Sequence, residues 1–361
     1  MRGNRYGVHR VLEPKGTLPQ AAFRVDNDMA KTYDDEILVD VEILNVDSAS
    51  FAQMEATAGT VAKSASDEDR RRAVATLITE TVATRGKQHN PVTGSGGMLL
   101  GRVARVGEAL RAHGPHASLQ VGERIATLVS LSLTPLRLEA IDVASVDLAR
   151  HQVKVRGQAI LFETGMWSRL PAELPEAVAL SALDVAGAAP QVTRLVEKMR
   201  SAGVARPRVA ILGCGGKSGL LCSVAAKRAG ASVIGLERNE AAAAPARKLG
   251  ACERVEIADA ADALAVAAAI TREGGEVDLS VSCVNVPDAE MGAILATRDG
   301  GAIYFFSMAT SFTKAALGAE GVSRDIDMLV GNGYAPGHAE ATLRLVLDEP
   351  ALRAIFVERY G

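Results

Sequence analysis

A short apolar stretch runs straight into a glycine-rich turn and then into a helix-forming segment between residues 209 and 219. The apolar residues are 209–212, and the glycines that follow are Gly213, Gly215, Gly216 and Gly219. A buried strand followed by such a turn places bare backbone N–H groups at a helix N-terminus, where a phosphate can bind them. We expect Gly213 to make the tight turn, the next two glycines to let a phosphate approach, and Gly219 to let the helix pack on the strand.

Strands and helices alternate regularly around and after this turn. Strands are predicted at 209–212, 232–236, 277–284 and 301–306, with a weak one at 254–257 and a further one at 326–330. Helices are predicted at 217–229, 240–249, 260–271 and 288–297, and a last one from 337 to about 347. Strands separated by helices of about 10–15 residues form a parallel sheet with right-handed crossovers. The sequence therefore predicts an α/β fold with a doubly wound parallel sheet.

The same turn predicts a dinucleotide site. Its spacing, G-x-G-x-x-x-G, is one residue longer than the common fingerprint, but the strand–turn–helix context is the one the fingerprint requires. The second strand ends at Glu237, 24 residues after Gly213, where a carboxylate can bond the ribose hydroxyls of NAD and repel the extra phosphate of NADP. Arg238 can accommodate that phosphate, so NADP remains open. We predict a site that includes Lys217, Ser218 and Glu237, with NAD favoured.

Residues before about 170 have a different pattern, in which short β-type stretches are separated by Gly and Pro. Strands are predicted at 37–44, 99–106 and 124–131. One helix interrupts them, since Ser66 and Asp69 form a capping-box pattern and Gly86 is placed to end the helix. We predict two domains, a β-rich domain over 1–170 and a dinucleotide-binding domain over 171–349, with residues 350–361 free to join the first.

Charge and composition exclude several classes of protein. Lys and Arg number 40 and Asp and Glu 43, a net charge of −3, which gives no electrostatic reason to expect nucleic acid or an anionic membrane as a partner. No apolar run reaches the ~18 residues that span a bilayer, and residues 1–10 lack the apolar core of a secretion signal. The four cysteines contain no C-x-x-C pair, so we expect a cytoplasmic chain without a disulfide framework.

Three segments of the first half, at 35–41, 101–107 and 121–125, resemble the medium-chain dehydrogenase/reductase superfamily. The resemblance implies a β-rich GroES-like domain ahead of a Rossmann domain. Zinc-dependent members have a cysteine shortly after the first segment and Gly-His-Glu before the second. Here residues 45–50 contain no cysteine, and the second place reads Gly94-Ser95-Gly96. We therefore expect no zinc site of the usual N/S type and no other metal site.

A narrower resemblance rests on longer and less common strings. RYG at 5–7, HRV at 9–11, EPKG at 13–16, LPQ at 18–20, HNPVTGSGGM at 89–98, GNGY at 331–334 and GHAE at 337–340 are similar to the L-erythro-3,5-diaminohexanoate dehydrogenases of bacterial lysine fermentation. The resemblance implies NAD-dependent oxidative deamination of a small diamino acid, giving 5-amino-3-oxohexanoate and ammonia. It also implies a homodimer formed through an edge of the nucleotide-binding domain.

Three residues are candidates for the acid–base chemistry that this reaction needs. His89 lies in the loop beside the place where zinc-dependent relatives bind their metal, and histidine titrates near neutrality; the alternative is a loop histidine that caps the backbone. Ser95 stands where a relative's zinc-binding histidine falls, either as a hydrogen-bond donor to the reacting centre or as a turn serine. Asp184 lies in an apolar helical stretch, where a carboxylate is costly unless it is used or ion-paired between domains.

Four further residues are candidates for binding the diamino acid. The second ammonium of the substrate needs a carboxylate partner, for which Glu163 is placed after an apolar run, with an ion pair as its alternative. Asp47 lies near the position of the missing cysteine. Asn332 and Tyr334 lie in a glycine-rich loop that either closes over a ligand or forms a subunit or domain contact.

Two other functions remain open at this stage. One is a zinc-free, NADPH-dependent quinone or enoyl reductase, which Arg238 would suit and which would release no ammonia. The other is a non-catalytic nucleotide-binding protein on a reductase scaffold, which would bind the cofactor without turnover. A fold alone does not separate these from a dehydrogenase, because function depends on the site.

Overall fold

The computed structural model describes residues 1–61, 66–90, 94–112, 114–307 and 309–361. The chain divides into two compact units, Met1–Ala172 and Glu173–Gly361, and each has its own sheet. The sequence left residues 350–361 free to join the first domain, but they fall within the second unit. They form a helix that packs on other helices of the second unit.

The first unit is built on a six-stranded antiparallel sheet and a separate two-stranded pair. Its strands are β1 (Val11–Glu13), β2 (Arg24–Val25), β3 (Glu36–Asn45), β4 (Met98–Val106), β5 (Arg124–Thr127), β6 (Leu136–Ile141), β7 (Gln152–Phe162) and β8 (Trp167–Ser168). Its helices are α1 (Ser48–Val61), α2 (Asp67–Arg85) and α3 (Glu108–Arg111). The order across the larger sheet is β6-β7-β3-β4-β5-β8, and β1 pairs with β2.

The register of β3 decides which loops lie at the same end of this sheet. Glu36 at its start is opposite Phe162 at the end of β7, and Asn45 at its end is opposite Gln152. At about 3.3 Å per residue, the two ends of β3 are about 30 Å apart. Residues that follow Asn45 and residues that follow Phe162 therefore lie at opposite ends of the sheet.

The helix predicted after Ser66 is confirmed. The Ser66 side chain accepts the Asp69 N–H, the Asp69 side chain accepts the Ser66 N–H, and Gly86 ends the helix in the left-handed conformation with φ 71°. The prediction of a single helix in this half is wrong, because α1 precedes α2. Among the side chains of α1 that the structure describes, the buried apolar ones are Phe51 and Met54, so the sequence carries little helical periodicity there. The third predicted strand is also shorter, since β5 ends at Thr127.

The second unit contains a parallel sheet with helices around it. Its strands are β9 (Arg208–Leu212), β10 (Ser232–Glu237), β11 (Arg254–Ile257), β12 (Val277–Ser282), β13 (Thr297–Phe305) and β14 (Ile326–Val330). Its helices are α4 (Glu176–Leu183), α5 (Ala188–Ser201), α6 (Lys217–Arg228), α7 (Glu240–Leu249), α8 (Ala263–Thr271), α9 (Glu290–Ala296), α10 (Phe312–Gly321), α11 (His338–Asp348) and α12 (Pro350–Tyr360).

All neighbouring strands of this sheet are parallel, in the order β11-β10-β9-β12-β13-β14. This is the order of a doubly wound dinucleotide-binding sheet, in which the strand order reverses beside the first strand. The central strands are fully buried because helices cover both faces. The predicted α/β fold with a Rossmann sheet and a β-rich first domain is confirmed. No helix in the part of the chain that the structure describes is long and apolar enough to cross a membrane.

Candidate active site

The glycine turn between β9 and α6 has the geometry that the sequence predicts. Gly213 is left-handed, with φ 80°, a conformation that costs other residues energy. A Cβ atom on Gly219 would lie 2.0 Å from the carbonyl oxygen of Gly213, so only glycine lets the first turn of α6 approach β9 this closely. Helix α6 begins at Lys217, and its free backbone N–H groups point out of the turn.

Glu237 at the end of β10 lies beside this turn. Its Oε1 accepts the Gly215 N–H at 2.9 Å. A Cβ atom on Gly215 would lie 2.0 Å from the Ala242 carbonyl oxygen, whereas one on Gly216 would meet only the Gly213 oxygen at 3.5 Å. The bare backbone at Gly216 therefore leaves open space at the helix N-terminus, and the cradle fits a dinucleotide phosphate with a carboxylate beside it for a ribose.

Two cationic side chains flank the turn. The Lys217 Nζ donates to Asp184 Oδ2 at 2.6 Å, and the Arg359 Nη1 of α12 donates to the Gly215 carbonyl at 2.7 Å. Burial lowers the pKa of Lys217, but the charge of Asp184 and its hydrogen bond, together with Tyr360, outweigh burial, so the pKa is raised. Arg359 has no signal in the sequence, since it lies 144 positions from Gly215.

The contact with Lys217 changes the interpretation of Asp184. The Asp184 Oδ2 atom is already engaged by the Lys217 ammonium at 2.6 Å. Asp184 follows α4 and belongs to the surroundings of the glycine turn, so we no longer assign it the acid–base step. The ion-pair alternative is the one that matches this contact, and it lies within the second unit.

The glycine-rich loop after β14 packs on the start of α5. A Cβ atom on Gly187 would lie 2.2 Å from the backbone carbon of Gly333. The Asn332 Oδ1 accepts the Tyr334 N–H at 3.2 Å, and the Tyr334 ring, 46% exposed, meets His338 edge-on at 5.3 Å. Asn332 and Tyr334 also line a cavity of the second unit.

In the first unit, Asp47 and Ser95 come together through a residue that the sequence did not single out. The Ser50 Oγ donates to Asp47 Oδ2 at 2.5 Å and lies 3.4 Å from the Ser95 Oγ. The Ser50 N–H also donates to Asp47 Oδ1 at 2.9 Å, the bond that a helix N-cap makes. The result is a short line of hydrogen bonds, Asp47–Ser50–Ser95, and we call it the serine line. Only the position of Ser50 three residues after Asp47 could have suggested it.

His89 lies in a polar segment next to the serine line, because the Asn90 N–H donates to the Ser95 carbonyl at 2.8 Å. Its Nδ1 and both amide atoms of Gln88 are buried without a hydrogen-bond partner among the described residues. Burial, with the charges of Lys87 and Arg85, lowers the pKa of His89. A lowered pKa favours the neutral imidazole, and a group that hydrogen-bonds to Nδ1 would satisfy its ring.

Glu163 is not part of this cluster. It follows Phe162, at the end of the sheet opposite Asp47, and is therefore about 30 Å away by the β3 register. Its carboxylate lies 3.7 Å from both Arg2 and Arg5. A small diamino acid cannot reach both ends of the sheet, so Glu163 and Asp47 cannot both bind it, and the contacts of Glu163 match the ion-pair alternative.

The described residues contain no group of three or more His, Cys, Asp or Glu side chains that could hold a metal ion.

Comparisons with known proteins agree along the whole chain. Residues 9–171 match the L-erythro-3,5-diaminohexanoate dehydrogenase N-terminal domain, and residues 219–326 match the zinc-binding dehydrogenase family. The chain is 48% identical to an L-erythro-3,5-diaminohexanoate dehydrogenase of Acetoanaerobium sticklandii, with 100% of each chain covered. It is 48% identical to another of Fusobacterium nucleatum, with 99% of each covered.

Solved structures share the fold at lower identity. A quinone oxidoreductase from Coxiella burnetii is 13% identical with a TM-score of 0.53, covering 90% of this chain and 86% of its own. The CurK enoyl reductase is 12% identical with a TM-score of 0.53, covering 87% and 79%. These likenesses concern the fold alone. With full-length identity of 48% to two curated members, the chain belongs to the L-erythro-3,5-diaminohexanoate dehydrogenase family.

Proposed function

We propose that this protein catalyses the NAD-dependent oxidative deamination of L-erythro-3,5-diaminohexanoate to 5-amino-3-oxohexanoate and ammonia. The observation that carries the proposal is the 48% identity, over the whole chain, to two dehydrogenases named for this substrate. The glycine turn with Glu237 beside it supports the cofactor half of the reaction. The balanced change is R2CH–NH3⁺ + NAD⁺ + H2O → R2C=O + NH4⁺ + NADH + H⁺.

The first requirement of this reaction is a base, because an ammonium cannot release its C–H as hydride until it has lost a proton. We assign this step to His89. Its pKa is lowered by burial, and its Nδ1 is buried without a partner in the described part of the chain. Neutral imidazole can take the proton from the C3 ammonium, and the nicotinamide supplies the hydride acceptor when it is bound. Once that proton has passed to solvent, water adds to the iminium carbon, the same imidazole takes the water proton and returns it to the amine, and ammonia leaves.

The serine line has a complementary role in this proposal. The carboxylate of Asp47 accepts both N–H and O–H of Ser50, which fixes the Ser50 hydroxyl so that it can accept from Ser95. The Ser95 hydroxyl is thereby aligned within the serine line. We propose Ser95 as the contact to the reacting nitrogen and Asp47 as the charge that stabilises it. Asn332 and Tyr334 stay as proposed ligand-binding residues of the second unit.

We propose NAD rather than NADP as the cofactor. Glu237 already accepts the Gly215 N–H, which holds its carboxylate next to the turn, and a 2′-phosphate there would meet a negative charge. Replacement of Glu237 with Gln should weaken NAD binding and improve NADP binding, because the repulsion is removed while the side-chain size is kept. The ratio of kcat/KM values for the two cofactors measures this, and Glu240→Gln, an exposed carboxylate at the start of α7, is the matched control. An unchanged ratio would contradict the assignment.

We propose a homodimer formed through β14. This strand is an edge of the parallel sheet, and Val330 on it is 60% exposed. An unpaired edge offers backbone groups to a second copy of the chain. Light scattering should give twice the chain mass, and Val330→Lys should shift the protein toward the monomer, while Val322→Lys, off the sheet, should not.

The four cysteines are free, which is compatible with the reducing cytoplasm that we propose as its location.

One assay separates the proposal from its rivals. NADH formation is followed at 340 nm with 3,5-diaminohexanoate, and ammonia is measured in the same sample. Equal amounts of the two products are expected. NADPH oxidation with a quinone or an enoyl thioester and no ammonia would support the reductase alternative, while tight cofactor binding without turnover of any of these substrates would support a non-catalytic protein.

A further inference from the structure

The second unit contains a cavity of about 370 Å³ away from the glycine turn. It lies between α5, the last two strands of the sheet and the loop that follows β14. Its lining includes Gln191, Arg194, Tyr304, Val330, Asn332 and Tyr334. None of the chemistry described above uses the first three of these residues.

Two polar side chains of this lining are more than nine-tenths buried. Gln191 is 8% exposed and Tyr304 is 2% exposed, and neither side chain has a hydrogen bond to another described residue. Gly331 keeps the space around the phenol open, since a Cβ atom there would lie 3.1 Å from its oxygen. Buried polar groups are normally bonded to something, so a ligand that accepts hydrogen bonds would complete this wall of the cavity.

The charge of the lining points to an anion. Arg194 lies one helical turn after Gln191 on α5, so both face the same side, and its guanidinium forms no ion pair with a described carboxylate. The described residues that line the cavity include no Asp or Glu. Burial raises the pKa of Tyr304 despite the nearby Arg194 charge, so the phenol keeps its proton and remains a donor. Three groups, the guanidinium, the amide and the phenol, can thus donate to the same ligand.

The remaining wall is apolar and includes Leu329, Val330 and Pro336. A small inorganic anion would leave this surface bare, whereas an acid with a short carbon chain would cover it. We propose that the cavity is a binding site for the carboxylate of a short-chain aliphatic acid, held by Arg194, Tyr304 and Gln191. The acid is either the diamino acid itself or a separate carboxylate. Only the first choice rests on the proposed function.

The test is calorimetric titration of the NAD-loaded full-length protein with sodium acetoacetate and with 3-aminobutanoate. We expect saturable binding of at least one, no binding of the matching methyl ester, and a 10- to 100-fold weaker affinity in Arg194→Gln, the range of about one lost charge-assisted hydrogen bond. Tyr304→Phe, which keeps the ring, should weaken binding as well. Arg344→Gln, an exposed arginine of α11 outside the cavity, should leave the affinity unchanged.

Steady-state kinetics identify the source of the carboxylate. If the diamino acid uses the cavity, Arg194→Gln raises its KM by a similar factor with kcat nearly unchanged. If a separate acid uses it, the KM for the diamino acid stays the same while acetoacetate binding is lost. The proposal is overturned if neither probe binds, or if both bind Arg194→Gln as well as the unmodified protein. Absence of dehydrogenase activity alone would count against the proposed reaction and not against this site.

Discussion

The glycine turn gives the sharpest test of where the cofactor phosphate lies, through the pair Gly216→Ala and Gly215→Ala. A Cβ atom on Gly216 would meet only the Gly213 oxygen at 3.5 Å, and its φ of −79° and ψ of 171° suit any residue. The loss of the better N-cap residue costs up to about 1 kcal/mol, and the reduced freedom of the unfolded chain returns about 0.4–1 kcal/mol. The free energy of unfolding without cofactor should therefore change by less than about 1 kcal/mol.

Cofactor binding should respond differently. The methyl group of Gly216→Ala occupies the open side of the helix N-terminus, where we place the phosphate. The loss of one or two charge-assisted hydrogen bonds to phosphate costs about 1.5–3 kcal/mol, so the NAD dissociation constant should rise about 10- to 100-fold. The expected result is lost affinity without lost stability.

Gly215→Ala provides the contrast. Its Cβ would lie 2.0 Å from the Ala242 oxygen, where about 3.5 Å is needed, so the backbone must move by about 1.5 Å. This movement breaks the bonds to Glu237 and Arg359. Because Glu237 is half-buried and Arg359 is exposed, we take the low end for charged groups, about 1.5 kcal/mol each and about 3 kcal/mol of stability in total.

Urea unfolding without NAD and calorimetric titration with NAD measure the two effects. A Gly216→Ala protein that keeps its NAD affinity within threefold would refute the placement of the phosphate at this turn. Equal destabilisation by both substitutions would refute the argument from the Cβ contacts.

Three further predictions follow from the ionisable groups. Lys217→Met leaves the Asp184 carboxylate without its cation, so it should lower the free energy of unfolding by about 2 kcal/mol and weaken NAD binding. Adding Asp184→Asn should restore the stability measured by urea unfolding but not NAD binding. A double variant no more stable than Lys217→Met would contradict the pairing. His89→Gln should lower kcat by about 10²–10⁴-fold, and a fall in kcat of less than threefold would remove His89 from the mechanism. Because burial lowers the pKa of His89 below 6.5, the acid limb of the kcat/KM profile of the unmodified enzyme should lie below that pH. Burial lowers the pKa of Lys87 from 10.5 to about 8, so the unfolded chain binds more protons between these pH values and the free energy of unfolding should rise with pH across that window; an equal rise in Lys87→Met would show that another group is responsible.

Local features of the chain were predictable because each depends on a few consecutive residues. The turn at 213–219 requires glycines at fixed places, and the structure has Gly213 left-handed and Gly219 without room for a side chain. The capping box at Ser66 and the αL glycine at its end were readable for the same reason. Strand β11 has the predicted bounds although its own sequence pattern is weak, because the helices predicted before and after it leave only a short segment in which a strand can form.

The sequence by itself thus determined the parallel sheet, its cofactor turn and the acidic residue after it, because backbone conformation and hydrophobic period are properties of neighbouring residues. Only the tertiary structure decided that Asp184 is held by Lys217, that Arg359 reaches Gly215, that Ser50 joins Asp47 to Ser95, and that Glu163 lies at the far end of its sheet. These contacts connect segments up to 144 positions apart. Whether such side chains meet depends on strand register and helix packing, which no local pattern of residues specifies.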